Sequence, residues 1–301
     1  KALREEYQDV LPHLKQLYAL YQALLAARHE RGAIDFETQE TRIVFGAGRK
    51  IAEIRPTQRN DAHKLIEECM LAANVATARF MLDHGVPSLY RVHDGPPAER
   101  VEKLKAFLGE LGLALHKGKL GPVPKDYQKL LASIQGRPDF HLIQTVMLRS
   151  LSQAVYSAEN NGHFGLNYEA YTHFTSPIRR YPDLLVHRAI RSVIRSKRET
   201  KHVQRAGAAS MPKARIYPYD EAALEKLGEQ CSMTERRADE ATRDVVNWLK
   251  CEFMQDRVGE IFEGVITAAT GFGIFVELKD IIETNDRYVV GISFPASANR
   301  Y

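Results

Sequence analysis

The spacing of apolar residues changes several times along the first hundred residues of the chain. A period of 3.6 over roughly Pro12–His29 predicts a helix with one buried face. Two short extended runs follow, and we expect Arg42–Phe45 to pair with Lys50–Arg55 across a tight turn that contains glycine. The helical period returns over Asn60–His84, where an asparagine and an aspartate can cap the first turn. This part of the chain is therefore predicted to be mostly helical, with one hairpin.

The rest of the chain first continues this helical pattern and then leaves it. Further helices are predicted at Ala98–Leu115, Pro138–Glu159, Asp183–Arg198 and Asp220–Asp256. The buried side of the last helix is expected to run along Leu224–Leu249, whereas Thr200–Pro218 is polar and without a period, which predicts a linker. After Arg257 the apolar residues alternate, as in strands. We therefore expect an α+β protein, with a mainly helical domain over residues 1–257 and the beginning of an all-β domain over 258–301.

Composition excludes several classes of protein. With 44% apolar and 27% charged residues the chain has the composition of a globular protein, which excludes a disordered or collagen-like chain. It contains no run of about 18 uncharged apolar residues, so no membrane span is predicted. The cysteines, Cys69, Cys231 and Cys251, are odd in number and far apart, which excludes a disulfide framework and a cysteine zinc site. This usage fits a reducing cytoplasm.

The distribution of charge is more informative than the net charge of +4. Arg179–Arg215 contains eleven lysines and arginines but only two acidic residues. Such a basic stripe is typical of a protein that binds a polyanion, most often a nucleic acid. A solvated helix face followed by a loop explains the same charges, so charge alone leaves both interpretations open.

A segment rich in aromatic residues, His163–Asp183, leads into this stripe. Its rings can stack on bases, and the guanidinium groups of Arg179 and Arg180 can neutralise phosphates. Ser176 and Pro177 begin a predicted tight turn that presents both arginines just ahead of a helix. A loop packed on the core is the alternative, but together with the basic stripe the segment favours nucleic acid. The spacing of its histidines does not fit a compact metal site.

Two polar residues, Glu67 and Asn74, share a helix face with small and apolar neighbours. A polar group left unpaired in such surroundings costs about 1–3 kcal/mol, so each side chain needs a partner. That partner is either internal, such as an arginine, or a sugar or base edge of a bound nucleic acid. Spacing alone favours the internal partner.

The alternating C-terminal run has Gly271, Phe272 and Gly273 at its centre. An aromatic residue at a turn between two strands is typical of OB-type barrels that bind RNA, where the ring stacks on a base. A plain hairpin explains this short motif equally well.

Several stretches resemble the ribonuclease II/R (RNB) family. They are Arg31–Phe36, His63–Asn74, His163–Asp183 with the following His187 and Arg188, Glu235–Ala241 and Trp248–Cys251. Val258–Glu277 resembles the beginning of the S-one-type OB barrel that follows the catalytic domain in this family. The resemblance implies the C-terminal part of an RNB catalytic domain, mainly helical, followed by the start of an OB-fold barrel. Ile281–Tyr301 departs from the barrel pattern.

The family consists of Mg²⁺-dependent exoribonucleases, and the resemblance implies the same activity for the whole protein. We expect processive 3′-to-5′ hydrolysis of single-stranded RNA, with structured RNA as a further candidate substrate, and release of nucleoside 5′-monophosphates in the cytoplasm. The resemblance also suggests ribosome-associated or RNA-decay proteins as further partners. Binding to a membrane is not expected. The alternative is a non-catalytic RNA-binding regulator with the same fold.

The resemblance assigns roles to particular residues. Arg179 matches the catalytic arginine on the scissile phosphate, Phe36 matches an aromatic that stacks on a base near the RNA 3′ end, and Glu67 matches a carboxylate at that end. The other expected RNA-binding residues are Asn74, Arg180, Tyr181, Glu240 and Phe272. The family holds Mg²⁺ with closely spaced aspartates, and no matching cluster is present, so we assign no metal ligand. We expect that cluster upstream of Lys1 and expect the chain alone to be inactive.

Overall fold

The computed structural model describes residues 5–36, 41–47, 50–57, 59–116, 121–196, 210–270, 273–278 and 288–293. The chain divides into two compact units. The first unit comprises Lys1–Phe36 and Asn60–Glu235, and the second comprises Glu37–Arg59 and Arg236–Tyr301. The predicted domain boundary at residue 257 stays a prediction.

Helices dominate the first unit, and short antiparallel sheets account for the strands. In chain order the elements are α1 (Leu11–Arg31), β1 (Thr41–Phe45), β2 (Ile51–Pro56), α2 (Asp61–Asp83), β3 (Tyr90–Val92), α3 (Ala98–Glu110), α4 (Pro124–Ser133), α5 (Phe140–Ser150), β4 (Val155–Ser157), α6 (Tyr181–Ile194), α7 (Lys213–Ile216), α8 (Glu221–Gln255), β5 (Gly264–Thr270), β6 (Gly273–Leu278) and β7 (Tyr288–Ser293). This content confirms the predicted mainly helical α+β character. Within the described ranges, no helix has both the length and the apolar character needed to cross a bilayer.

The ends of α1 and α2 follow from local sequence signals. α1 ends at Gly32, which adopts a left-handed φ of 83°, and a Cβ at that position would overlap the side chain of Lys125. α2 begins after Asn60, whose side chain accepts hydrogen bonds from the backbone N–H groups of Ala62 and His63. Both helices therefore lie where the sequence predicts them.

The two largest buried clusters of the first unit join its helices. One joins α3, α4 and α5 through side chains that include Leu108, Tyr127 and Met147. The other joins α2, α6 and the first turns of α8, and its members are Met81, Leu89, Leu185, Val186, Ala189, Tyr217 and Leu224. Each large apolar side chain buried in this way contributes about 1.5–3 kcal/mol. The second cluster fixes α2 relative to α6, and these two helices carry the residues described below.

The predicted helices Pro138–Glu159 and Ala98–Leu115 are both too long. α5 ends at Ser150, and β4 pairs antiparallel with β3 instead of continuing the helix. Tyr156 fixes this strand, since its side chain is buried and its backbone N–H donates to Ser232 Oγ over 2.9 Å. α3 ends at Glu110, just before a glycine with a left-handed φ of 68°.

The predicted linker Thr200–Pro218 is wrong where the structure describes it. Residues 200–209 lie outside the described residues, but Ile216 of α7 and Tyr217 are buried within the first unit. The Tyr217 hydroxyl donates to the carbonyl of Pro87 over 2.9 Å, and Arg188 Nε donates to the carbonyl of Ile216 over 2.9 Å. A single helical turn with two buried residues is too short to produce a detectable period.

α8 is one long helix, as predicted, but its buried side is shorter than expected. Leu224, Gly228 and Ser232 are its buried residues. Ala241 and Val245, which lie on the predicted buried side, are exposed. The close contact occurs at Gly228, where an added Cβ would lie 2.8 Å from the carbonyl oxygen of Tyr156. The apolar period therefore continues beyond the part of the helix that is buried.

The second unit contains the predicted hairpin and a three-stranded antiparallel sheet. β1 pairs with β2, and the sheet has the order β5-β6-β7. Ile54 is fully buried in this unit against residues that include Phe262 and Val276. The sheet agrees with the predicted switch to strands after Arg257, whereas closure into an OB-fold barrel stays a prediction. Phe272 lies outside the described residues.

Candidate nucleic-acid interface

A cavity of about 540 Å³, which we call the α2 cavity, lies in the first unit between α2 and the aromatic segment. Its lining residues are Ala62, His63, Ile66, Glu67, Met70, Leu71, Asn74, Tyr171, His173 and Arg180. An apolar wall with a few polar groups is typical of ligand sites, and the volume falls within their usual range of about 300–1,000 Å³. The cavity brings together three of the predicted site residues, Glu67, Asn74 and Arg180.

Glu67 has an internal partner and also faces the cavity. Arg28 Nη1 lies 3.4 Å from the Glu67 carboxylate and 2.7 Å from that of Glu68, while Nη2 lies 3.0 Å from Asp35. Burial alone would lower the pKa of Arg28, but Asp35, Glu68 and Glu67 together raise this pKa above its ordinary value. The guanidinium therefore stays charged beneath Glu67. The two alternatives that spacing left open for Glu67 are compatible with each other.

Asn74 obtains its hydrogen bonds inside the protein. Its side chain is only 2% exposed; Nδ2 donates to the Tyr171 hydroxyl over 2.9 Å, and Oδ1 accepts from the backbone N–H of Phe174 over 3.0 Å. These bonds join α2 to the aromatic segment and shape the cavity wall. The internal partner that spacing favoured is present, and contact of Asn74 with RNA stays a prediction.

Most rings of the aromatic segment pack on one another. The ring centroids of His163 and Tyr171 lie 5.3 Å apart, and Phe174 stacks on His187 at 4.2 Å with an angle of 9° between the rings. Arg31 lies over the ring of Tyr168, with 3.9 Å between its Cζ and the centroid. These rings therefore contact other side chains of the protein, as the alternative of a packed loop predicts, and their stacking on bases stays a prediction.

The half-buried histidines of this segment, His163 and His173, are uncharged at neutral pH. Burial, reinforced by His93, lowers the pKa of His163 to about 3, and burial with nearby Arg180 lowers the pKa of His173 to about 3. The Tyr156 hydroxyl lies within hydrogen-bond distance of His173 Nδ1, at 2.8 Å. The wall beside Arg180 therefore carries no competing positive charge from His173.

The predicted turn at Ser176 is present. The backbone N–H groups of Arg179 and Arg180 donate to the carbonyl of Ser176 over 3.3 and 3.0 Å. Ile178 and Arg179 are exposed at its tip, and α6 begins at Tyr181, two residues before the predicted start. The turn presents Arg179 to solvent directly ahead of the positive end of a helix.

Arg180 and Tyr181, the two residues after Arg179, contact different side chains. Arg180 lines the α2 cavity while its Nη2 donates to Asp183 Oδ1 over 2.9 Å. Tyr181 is partly exposed, and its hydroxyl lies 3.3 Å from that of Tyr219. The Tyr219 hydroxyl also accepts a 2.6 Å hydrogen bond from Arg188 Nη1. Arg180 is thus the predicted residue that joins the turn to the cavity.

Phe36 and Glu240 are not among the residues that line the α2 cavity. Phe36 is half-buried against the cluster formed by α3, α4 and α5, and Glu240 is exposed on the part of α8 that belongs to the second unit. His63, Tyr171 and His173 also line the cavity, although none of them was among the predicted site residues. They belong to the stretches that resemble the family, but their side chains come together only in the fold.

The residues that the structure describes do not fit a Mg²⁺ site. Among them, no three histidine, cysteine, aspartate or glutamate side chains come close enough to hold a metal ion. Glu67, the acidic residue that lines the cavity, shares the Arg28 guanidinium with Glu68 and Asp35. We therefore derive no step of a reaction through a metal bound by these residues.

Comparison with known proteins defines the class. The sequence model of the RNB domain matches residues 2–196, so the chain belongs to the RNB-domain family. It is 54% identical over 279 residues to Ribonuclease R of Vibrio cholerae, an alignment that covers 93% of this chain and 33% of that protein. The chain thus spans about a third of the length of the curated relatives it matches. The predicted family resemblance is confirmed.

Solved structures show the same fold. Mycoplasma genitalium RNase R in complex with ribose methylated single-stranded RNA has a TM-score of 0.79 and 25% identity, over 95% of this chain and 47% of that one. Yeast Ssd1, a pseudonuclease, has a TM-score of 0.58 and 21% identity, over 73% of this chain and 26% of that one. The fold therefore occurs both in a ribonuclease and in a protein described as a pseudonuclease.

Proposed function

We propose that this chain is part of an exoribonuclease that hydrolyses single-stranded RNA processively from the 3′ end and releases nucleoside 5′-monophosphates. The proposal is supported by the 54% identity to Ribonuclease R of Vibrio cholerae. The observation that carries it is the adjacency of Arg179, exposed on its turn, and Arg180, which lines the α2 cavity together with Glu67. A cation for phosphate and an acceptor for hydroxyl groups thus occur at one site.

Arg179 has the chemistry needed at a reacting phosphate. Its guanidinium is planar, always charged and able to donate two parallel hydrogen bonds to phosphate oxygens. Its exposed position leaves these donors accessible, and the N-terminus of α6 adds a favourable field for an anion. In the proposed reaction Arg179 stabilises the negative charge that develops on the scissile phosphate.

Glu67 is suited to the sugar rather than to the phosphate. An ionised carboxylate only accepts hydrogen bonds, and ribose offers hydroxyl donors, of which the 2′-hydroxyl distinguishes RNA from DNA. Arg28 beneath it keeps the carboxylate in place at the cavity wall. We assign Glu67 to the nucleotide near the 3′ end.

The remaining assignments complete the proposed RNA path. Phe36 stacks on a base near the 3′ end, and Asn74, Arg180, Tyr181, Glu240 and Phe272 are further RNA contacts. The strands after Arg257 begin an OB-fold barrel that binds RNA. Carboxylates outside this chain would hold Mg²⁺, which would supply Lewis-acid chemistry to the complete enzyme. The three cysteines are all free, which supports a cytoplasmic location, where ribosome-associated or RNA-decay proteins are candidate partners.

The test uses the complete protein that contains this chain and a labelled single-stranded oligoribonucleotide. Wild type is expected to release monophosphates, and Arg179→Ala is expected to slow their release. Arg149→Ala removes an exposed arginine on α5 and serves as the matched control, with wild-type activity expected. A wild-type protein that binds RNA without hydrolysing it would contradict the proposal and favour the non-catalytic regulator.

A further inference from the structure

We propose that Asp183 is a positioning residue for RNA hydrolysis, which acts through Arg180 and the turn that carries Arg179. The inference rests on the proposed function, because it concerns how the site described above is held in place. Asp183 belongs to the first turn of α6 and is completely buried.

Asp183 closes the turn at its base. One carboxylate oxygen, Oδ1, accepts hydrogen bonds both from the backbone N–H of Ser176, over 2.7 Å, and from Arg180 Nη2, over 2.9 Å. Ser176 begins the turn and Arg180 ends it, so one buried atom holds both ends. The backbone hydrogen bond from Arg180 N–H to the Ser176 carbonyl closes the same loop a second time.

The closure of the turn between Ser176 and Arg180 determines where Ile178 and Arg179 lie. Ile178 is fully exposed and Arg179 is exposed, so burial of their side chains does not hold them. Their position depends on the backbone closure between Ser176 and Arg180. A change at the base is therefore transmitted to the Arg179 guanidinium, where a displacement of about 1 Å can cost about 10²-fold in rate.

The ion pair also directs Arg180. This guanidinium lines the α2 cavity, and its partner cannot move because Asp183 is buried in α6. A buried ion pair is weak evidence for stability in itself, since well-packed apolar residues often replace one without loss. Orientation of a cation towards the cavity explains why a carboxylate occupies this buried position.

The hydrogen bonds of Asp183 permit a conservative variant. Among the described residues Asp183 Oδ2 has no hydrogen-bond partner, so the amide nitrogen of Asp183→Asn can replace it without breaking a bond. The amide oxygen keeps the Ser176 N–H bond, and only the charge opposite Arg180 is lost. This variant separates orientation of Arg180 from formation of the turn.

The experiment measures kcat and KM of the complete protein on a short single-stranded oligoribonucleotide. We expect Asp183→Asn to lower kcat by about 10- to 100-fold with a much smaller change in KM, because misplaced groups at a reacting centre act mainly on the transition state. Arg180→Gln removes the same ion pair from the partly exposed side and is expected to lower kcat as well. Because Asp183 acts through Arg180, adding Asp183→Asn to Arg180→Gln is expected to have little further effect.

Leu185→Ala controls for simple destabilisation. Leu185 is buried on the same helix and belongs to the apolar cluster, so its truncation weakens α6 without removing a partner of Asp183. Once folding has been verified at the assay temperature, Leu185→Ala is expected to keep the wild-type kcat. Wild-type kcat in Asp183→Asn, independent effects of Asp183→Asn and Arg180→Gln, or an equal loss in Leu185→Ala would each overturn the inference. An inactive wild-type protein would instead refute the proposed function, and the inference with it.

Discussion

Replacement of Arg28 by methionine tests the charge cluster beneath Glu67 most directly. The substitution keeps an unbranched side chain but removes the cation that three carboxylates share. The carboxylates of Asp35 and Glu67 are 56% and 38% exposed, so their pairs with Arg28 contribute only about 0–1 kcal/mol each. The side chain of Glu68 is only 6% exposed, and its pair with Arg28 is the dominant contribution.

Arg28→Met is expected to lower the free energy of unfolding because it leaves Glu68 buried without its cation. Breaking a buried ion pair by removing one partner costs about 3–5 kcal/mol. At about 2–4 °C per kcal/mol for a unit of this size, the melting temperature is expected to fall by about 6–20 °C. The assay is urea and thermal unfolding of the chain, followed by far-UV circular dichroism.

Two further variants test the explanation. Arg28→Met combined with Glu68→Met removes both buried charges and is expected to recover most of the lost free energy of unfolding. Lys103→Met breaks an exposed pair with Glu99 and is expected to leave the free energy of unfolding nearly unchanged, because water screens this pair. A loss below about 1 kcal/mol in Arg28→Met, or a double variant no more stable than the single one, would show that the Arg28–Glu68 pair does not stabilise the fold as expected.

Four further predictions concern catalysis, products, pH and the isolated chain. Arg179→Ala is expected to lower kcat of the complete enzyme by about 10²–10³-fold, and a raised KM with unchanged kcat would make Arg179 a docking contact instead. Phe36→Ala removes a stack of about 1–3 kcal/mol and is expected to leave longer limit products on a sizing gel; an unchanged product ladder would argue against the stack. The pKa values of His163 and His173 lie near 3 in the folded protein and near 6.5 in the unfolded chain. Between these values only the unfolded chain binds the protons, so the urea midpoint is expected to be constant above about pH 6.5 and to fall from there towards pH 3. An equal midpoint at pH 7 and pH 5 would contradict this. The chain alone is expected to bind single-stranded RNA, with the logarithm of the binding constant falling by about 0.7 per phosphate contact per log unit of salt. It is expected to release no monophosphate in the presence of Mg²⁺. Robust release would contradict the assignment of the metal ligands to residues outside this chain.

Elements that depend on neighbouring residues could be predicted from the sequence. The Asn60 cap, the Gly32 end of α1 and the turn at Ser176 each form within a few residues of the chain, and each lies where it was expected. The β1–β2 hairpin is local in the same sense. Residue type and spacing determine such elements because their hydrogen bonds close over short distances along the chain.

Elements that depend on distant partners could not be predicted in this way. Residues after Ser150 continue an apolar pattern compatible with a helix, but Tyr156 pairs with Arg91 in the strand register and bonds to Ser232. Tyr217 is buried in the apolar cluster with Met81 and Leu89, and its hydroxyl donates to the carbonyl of Pro87. In each case a tertiary contact decides the outcome, and it leaves no periodic signal in the segment itself.

In the candidate site, too, some charged residues could be predicted from the sequence and others only from the fold. Glu67 and Arg180, which line the cavity, are each backed by a buried residue of opposite charge, Arg28 in one case and Asp183 in the other. Arg28 is distant in sequence, whereas Asp183 is a neighbour that looks like any other isolated aspartate until its burial is known. Because a buried charge is held by its surroundings, it restricts the direction of the partner that faces the cavity. Candidate RNA contacts could therefore be predicted from motifs, whereas the buried charges behind them could be recognised only from the fold.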